Sequence, residues 1–360
     1  MSPLRKKRPT VALIFGGRSA EHDVSLSSAK AIYNNLDPKK YRVVSIHINL
    51  KGEWRAVESP LVPVSKLRRG PVSSFLPWDG RCSASGALRA DIYFPVLHGP
   101  CGEDGTIQGL LEMADVPYVG AGVTASAVGM DKAIMKTLFA AAGLPIVPYF
   151  AVRETEWRRH RAGVLDKIIK TLTFPVFVKP SNLGSSVGIT KVKSKARLAR
   201  SCEFAFAYDE TILVEQGIEG RELECSVLGH RTVKASLPGE LIPYREFYDY
   251  EDKYLYGKTQ FRIPADIPAK IAVQVRHLAV AAFQAIGCSG MARVDFFIDG
   301  RTGRVYVNEI NTIPGFTEIS MFPRLWAVSG IGFPALLDEL IRLGFERHRS
   351  KKRRVERHPA

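Results

Sequence analysis

The feature that most constrains this chain is a recurring unit: a short, unbroken apolar run that empties into a turn, followed by helical sequence. TVALIF at 10–15 runs into Gly16 and Gly17, and a helix-forming stretch over about 23–36 comes next. YRVVSIHI at 41–48 and DIYFPVL at 91–97 repeat the apolar run, and the latter empties into HGPCGEDG. Strands without polar alternation are buried on both faces, the condition of a parallel sheet covered by helices. The first 120 or so residues therefore read as an open, mostly parallel α/β sheet. Within them LLEMA at 110–114 reads as helix and VPYVG after it as a short strand. Residues 58–90, rich in Pro, Ser and Gly, read as an irregular, exposed excursion.

Asp131 reads as the N-cap of a helix through KAIMKTLFAAA, with Gly143 as its stop. A second α/β unit follows through FPVFVKP and TILVEQ. The hinge GIEGRE then leads into the strand ELECSVLG. In 269–286, apolar residues at 271, 275, 278, 282 and 286 mark an amphipathic helix stopped by Gly287. A hairpin over 292–311 and a helix through FPALLDELIRLG finish the body. The expected organisation is a basic N-terminal tail (1–9), a Rossmann-like domain (10–122), a central domain (123–216), a C-terminal domain (217–345) and a basic tail (346–360).

Two segments carry the chemistry. In RVDFF, strand alternation puts Arg293 and Asp295 on one face, and in VYVNEIN it puts Glu309 and Asn311 on one face. If the two strands pair across IDGRTGR, the acids converge, and close carboxylates repel unless a cation lies between them. All three oxygen ligands suit magnesium. The second segment, VFVKPSNLGSSVG, is an apolar strand ending in Lys179, then a loop of small residues whose N–H groups can approach phosphate. It is neither a Walker loop nor GxGxxG. Lys132, at a helix start where the dipole disfavours it, is a second candidate phosphate ligand. HGPCGEDGTIQG lies at the C-terminal end of a strand, where open sheets bind ligands. Glu21 opens a helix, where an acid is favoured in any case. Together these point to an enzyme that consumes ATP.

Charge tests a rival reading. Of a net +15, Arg5, Lys6, Lys7 and Arg8 supply four, and residues 346–360 supply a net five. Such runs suit nucleic acid, which would show as steeply salt-dependent binding. Neither tail interleaves aromatics or has an apolar face, so the prevailing reading is a solvated tail. No apolar run approaches the roughly 20 residues of a membrane span. The five cysteines are scattered without a CxxC pair, as in a reducing cytoplasm. Cys101 reads as incidental.

In order, GGRSAEHDVS, HGPCGEDGTIQG, VKPSNLGSSVG, FYDYEDKY, ARVDFF and NEINTIPGFTEIS resemble the motifs of D-alanine–D-alanine ligases, members of the ATP-grasp enzymes. The likeness covers roughly 10–345 and implies an ATP-grasp fold with ATP held between the second and third domains. It implies that ATP phosphorylates one D-alanine, that a second attacks the acyl phosphate, and that the dipeptide feeds peptidoglycan synthesis. It also implies a dimer and two Mg²⁺ or Mn²⁺ ions on Asp295, Glu309 and Asn311. Lys132, Lys179 and Lys253 resemble phosphate ligands. Glu215, Gln216, Gly217 and Ile218 resemble the adenine hinge, and Glu222 the ribose contact. Ser186, Phe247 and Asn308 resemble further nucleotide contacts. Glu21 and His98 resemble the groups that orient the first D-alanine. Arg293 and Ser320 resemble the pair serving the oxyanion and the second carboxylate, with the Gly315 N–H as another oxyanion donor. Ser185 and Tyr254 would join Glu21 in a link closing a lid at 244–261. Family members that use D-lactate or D-serine remain alternatives. Tyr254 opposes lactate, because the similar depsipeptide-forming members tend to carry Phe there.

Overall fold

The computed structural model describes residues 8–62, 74–76, 81–83, 90–184, 187–242 and 260–352. The N-terminal layer holds β1 (Thr10–Gly16), α1 (His22–Asn35), β2 (Arg42–Ile48), β3 (Trp54–Val57), β4 (Ser74–Leu76), β5 (Arg81–Ser83), β6 (Ile92–Pro95) and α2 (Thr106–Met113). Its sheet runs β3-β2-β1-β6; β2 and β6 lie parallel to β1, and β3 is antiparallel. Every residue of β1 and β6 is buried, as their unbroken apolar sequence requires.

Three local expectations need correction. The excursion at 58–90 contains the antiparallel pair β4–β5. VPYVG contributes only a single parallel bridge, Tyr93 to Tyr118. The helix expected at 110–114 begins at Thr106, because Asp104 accepts the N–H groups of both Cys101 and Thr106 and organises its first turn.

Next come α3 (Val123–Met130), α4 (Lys132–Ala141), β7 (Tyr149–Arg153), α5 (Glu154–Thr171), β8 (Val176–Pro180), β9 (Thr190–Val192), α6 (Lys195–Phe206) and β10 (Thr211–Gln216). The sheet β7-β10-β8-β9 is antiparallel throughout. It has its own core, with Trp157, Ile168, Leu198, Val178 and Val214 buried together.

The last layer holds β11 (Gly220–Gly229), β12 (Val233–Ala235), β13 (Gly239–Ile242), β14 (Gln260–Arg262), α7 (Ala269–Ala285), β15 (Gly290–Asp299), β16 (Val305–Asn311), α8 (Met321–Val328) and α9 (Phe333–Lys352). Its strands run β14-β13-β11-β15-β16, with β12 beside β11. Met135 and Phe139 of α4 share a core with Val294, Val307 and Phe283, so the apolar face of α4 packs on this sheet, while its Lys136 reaches Glu215 on β10 of the central one. Leu336, Leu337 and Leu340 of α9 join Val11, Leu13 and Phe94, so the C-terminal helix closes the N-terminal sheet. The reading of 346–360 as a tail fails over its first seven residues. The helix continues to Lys352, and Arg347 is buried against Glu112 and Tyr118. No helix among the described residues is long and apolar enough to cross a membrane.

Candidate active site

The site is built on the β15–β16 hairpin. Asp295 lies opposite Glu309 and Arg293 opposite Asn311, so the four polar residues share one face. Val294 and Phe296 are buried on the other face. A bulge follows Asp295: Phe296 pairs with Val307, which leaves Asn308 as the extra residue. The Arg293 guanidinium forks onto Asp295, with Nε and Nη2 each 2.7 Å from a carboxylate oxygen. Its Nε also lies 3.2 Å from Glu224 on the neighbouring strand β11, where Glu224 faces Asp295 across the ladder. Burial opposes the Arg293 charge, but Asp295 and Glu224 outweigh it and hold the guanidinium well above its ordinary pKa.

The second wall comes from α4 and the end of β8. Asp131 caps α4, accepting the N–H groups of Ala133 and Ile134, and also takes the Ser181 hydroxyl at 2.7 Å. Lys132 Nζ donates to the Leu183 carbonyl at 2.6 Å, tying the start of the small-residue loop to α4. Beneath it, Glu215 places one carboxylate oxygen against Lys136 and the other against Lys179. Burial works against the Glu215 charge, yet the two lysines outweigh it and hold the carboxyl below its usual range. Burial lowers the Lys136 pKa in turn.

The third wall is the exit of the N-terminal sheet. Glu21 stands at the N-cap position of α1 but makes no side-chain cap bond. Its carboxylate lies against backbone on both sides. A Cβ at Gly99, where φ is +75°, would meet Glu21 Oε2 at 2.8 Å, and one at Gly184 would meet it at 3.2 Å. Glu21 therefore spans from the sheet exit to the small-residue loop. His98 is buried, and its Nδ1–H donates to the Ile313 carbonyl at 3.0 Å. That fixes Nε2 as acceptor for the Ser28 hydroxyl at 3.2 Å, and Ser28 in turn accepts the Phe316 N–H. Burial lowers the His98 pKa, so the ring is neutral. Both nitrogens are committed, and His98 presents no ring nitrogen to a ligand. Glu103 accepts the Gly99 N–H at 2.7 Å. Burial, then the Glu21 charge, pushes its pKa up to about 8.

A cavity of about 690 Å³ joins the three walls, lined by Glu21, His98, Glu103, Lys132, Gly184, Glu224, Arg293, Glu309, Asn311, Gly315 and Ser320 among others. Eight of the residues expected from sequence, Glu21, His98, Lys132, Arg293, Glu309, Asn311, Gly315 and Ser320, thus face one space. Lys179, Glu215, Gln216, Gly217, Ile218, Glu222 and Asp295 do not line it. The first four of these and Ile218 belong to the β8–β10 side of the site. There Gln216 is spent on Thr173, donating to its carbonyl and accepting its N–H, and the Gly217 N–H goes to Pro175. Ser185, Ser186, Phe247, Lys253 and Tyr254 lie outside the described residues, so the expected lid and its Tyr254–Ser185 link do as well.

Comparison with known proteins gives this geometry a family. The profile of the D-ala D-ala ligase N-terminus matches residues 10–121, and that of the C-terminus matches residues 138–342. The chain belongs to the D-alanine–D-alanine ligase family. It is 50% identical over 342 residues to the D-alanine–D-alanine ligase of Solibacter usitatus, covering 95% of this chain and 97% of that one. It is 47% identical to that of Heliobacterium modesticaldum, with 96% and 97% covered. Among solved structures, the Coxiella burnetii D-alanine–D-alanine ligase superposes with a TM-score of 0.87 at 37% identity, over 97% of both chains. The VanG D-Ala:D-Ser ligase of Enterococcus faecalis does so with 0.84 at 35%, over 94% of this chain and all of that one. The expected α/β ATP-grasp fold stands with them.

This ligase-family site also holds residues that sequence reading did not single out. Lys136 is one helical turn beyond Lys132, and that spacing was its only signal. Glu224 is two residues beyond Glu222 on one strand, and Glu103 is an acid of the glycine-dense loop. The donor set fits a divalent cation. Asn308 Oδ1 and Asn311 Oδ1 are buried without a hydrogen-bond partner among the described residues. Although Arg293 engages both oxygens of Asp295, each keeps a further lone pair. No group of three or more His, Cys, Asp or Glu suited to a metal occurs among the described residues, so the set rests on two acids and amides.

Proposed function

We infer that the protein ligates two D-alanines to D-alanyl-D-alanine at the expense of ATP, for cell-wall synthesis. The observation that carries this is the single cavity in which Glu21, Lys132, Arg293, Glu309, Asn311, Gly315 and Ser320 meet from all three layers. Phosphoryl transfer needs positioned charge more than a covalent group. Lys132 and Lys179 supply that charge toward the phosphates, and Glu215 to Ile218 and Glu222 hold the nucleoside. Two Mg²⁺ ions on Asp295, Glu309 and Asn311 would neutralise phosphate charge when bound.

Glu21 holds the ammonium of the first D-alanine. His98 acts by shape and by fixing Ile313 and Phe316 through its two hydrogen bonds. The carboxylate of the first D-alanine takes the γ-phosphoryl group from ATP, releasing ADP, and the amine of the second attacks the resulting acyl phosphate, losing a proton as the tetrahedral intermediate expels inorganic phosphate. The oxyanion then faces Arg293 and the Gly315 N–H. A Cβ at Gly315 would lie 2.8 Å from Ser320 Oγ, so a larger residue there would displace that hydroxyl. Ser320 opens α8, whose N-terminal N–H groups suit the carboxylate of the second substrate. Acyl phosphates hydrolyse, so the site must exclude water during turnover.

The test is phosphate release with ATP and Mg²⁺, comparing D-alanine, L-alanine, D-lactate and D-serine. Release with D-alanine alone, and D-alanyl-D-alanine as product, is the expected outcome. A mixed D-alanyl-D-serine product in preference would move the chain to the specificity of the VanG enzyme.

A further inference from the structure

Lys136 is 0% exposed, yet it carries an ammonium group into a buried charge cluster with Glu215 and Lys179. On the paired strands β8 and β10, Lys179 lies opposite Leu213, which puts Glu215 on the same face one diagonal step away. Glu215 is 4% exposed and divides its carboxylate between Lys136 and Lys179. Lys136 also stands 5.7 Å from the centre of the Tyr149 ring. Two ammonium groups share one carboxylate, and the Glu309 carboxylate also acts on Lys136 through space. Lys179 lies on the strand that leads into the small-residue loop and retains 7% exposure. With no exposed surface, Lys136 cannot touch a ligand itself.

We propose that Lys136 is a positioning residue for the nucleotide, serving as the permanent counter-ion of Glu215 so that Lys179 is released to phosphate. This rests on the reading of Lys179 and Glu215 as nucleotide contacts. A desolvated carboxylate with a single counter-ion holds it, because removing the partner leaves an uncompensated buried charge. With Lys136 present, Lys179 exchanges Glu215 for phosphate while Glu215 stays ionised and paired. The carboxylate then remains a hydrogen-bond acceptor for an exocyclic amine of the base.

The test is a double-mutant cycle on the full chain with steady-state kinetics. Lys136→Met keeps the length of the side chain without its charge. It is expected to raise the KM for ATP at least tenfold while the KM for D-alanine stays within twofold. Glu215→Gln is expected to raise the KM for ATP, and adding Lys136→Met to it is expected to change nothing further. A smaller rise in Lys136→Met, or a double variant whose ATP KM is the product of the two single effects, overturns the proposal. Should Lys136→Met fail to fold, the double variant, which leaves no carboxylate unpaired, decides by comparison with Glu215→Gln. Calorimetry with ADP separates this from the underlying reading. If Lys179→Met and Glu215→Gln both keep wild-type ADP affinity, the nucleotide assignment fails and the proposal falls with it.

Discussion

Glu103 and His98 belong to one loop, and burial moves both toward neutrality, which gives them opposite effects on stability. In the unfolded chain a glutamate releases its proton near 4.5, whereas folded Glu103 keeps it to about 8. Between those values the native state binds more protons, so stability falls as pH rises through the window. His98 is lowered from 6.5, so its contribution falls as pH drops below that value. Glu103→Gln should therefore gain stability over wild type at pH 8.5 and none at pH 4.5. Urea denaturation at the two values checks this, and parallel pH profiles would count against it. The acid itself was visible in HGPCGEDG, but its proton was not. Its state depends on Glu21, far away in sequence, and on burial that only the assembled walls create. Lys136 was hidden for the same reason: a lysine four residues after another looks like a solvated helix face until Glu215 comes to meet it.

At the scale of elements, the C-terminal helix shows how charge misleads. ERHRSKK reads as a tail because it lacks apolar residues, yet Arg and Lys are good helix formers and the helix simply continues. What anchors it comes from elsewhere. Arg347 donates to Glu112 and to the Tyr118 hydroxyl at 3.0 Å each, and its guanidinium lies 3.8 Å from the centre of the Tyr118 ring. Arg347→Ala leaves a half-buried Glu112 with less compensation and should cost about 2–4 kcal/mol. Truncation before residue 347 should cost at least as much, while removal of 353–360 should leave the thermal midpoint unchanged. Equal midpoints for the two truncations would mean that the Arg347 contacts contribute nothing. The start of α4 behaves as the sequence suggests. Asp131 before an apolar-periodic stretch is a strong local signal, and it caps. Asp131→Ala should cost about 1–2 kcal/mol through the lost cap. It should also weaken nucleotide binding, because the same carboxylate holds Ser181 at the mouth of the small-residue loop. The hairpin was legible down to its facing residues, since period two leaves no freedom once the strands pair. The bulge at Asn308 was not, because nothing in VYVNEIN marks an extra residue.

For the whole molecule, the informative fact is how unevenly the layers are joined. The N-terminal and C-terminal layers share a buried core through α8 and α9, whereas the central sheet keeps a core of its own. Its links to the rest at the site are polar: Ser181 to Asp131, the Lys132 N–H to the Ser181 carbonyl, and Lys132 Nζ to Leu183. A unit with a separate core and a polar seam is free to move as a body, which is the default for domains of this kind. Lys179 of β8 and Glu215 of β10, proposed above as nucleotide contacts, lie on the central side of that seam, and Glu21, His98, Arg293 and Ser320 lie across it. Ligand binding should therefore protect backbone amides in two stages. A non-hydrolysable ATP analogue with Mg²⁺ should slow hydrogen exchange in 176–184 and 211–216 and leave 98–105 and 313–320 near their free rates. Adding D-alanine should then slow exchange in 98–105 and 313–320, and slow 182–184 further as Gly184 and Glu21 are held together. D-alanine without nucleotide should leave 211–216 unprotected. Protection of 98–105 by the nucleotide alone, to the level of the ternary complex, would mean that the seam closes before the amino acid arrives. In that case the two halves of the site would be one rigid unit, and Glu21 would not be where substrate binding and closure meet.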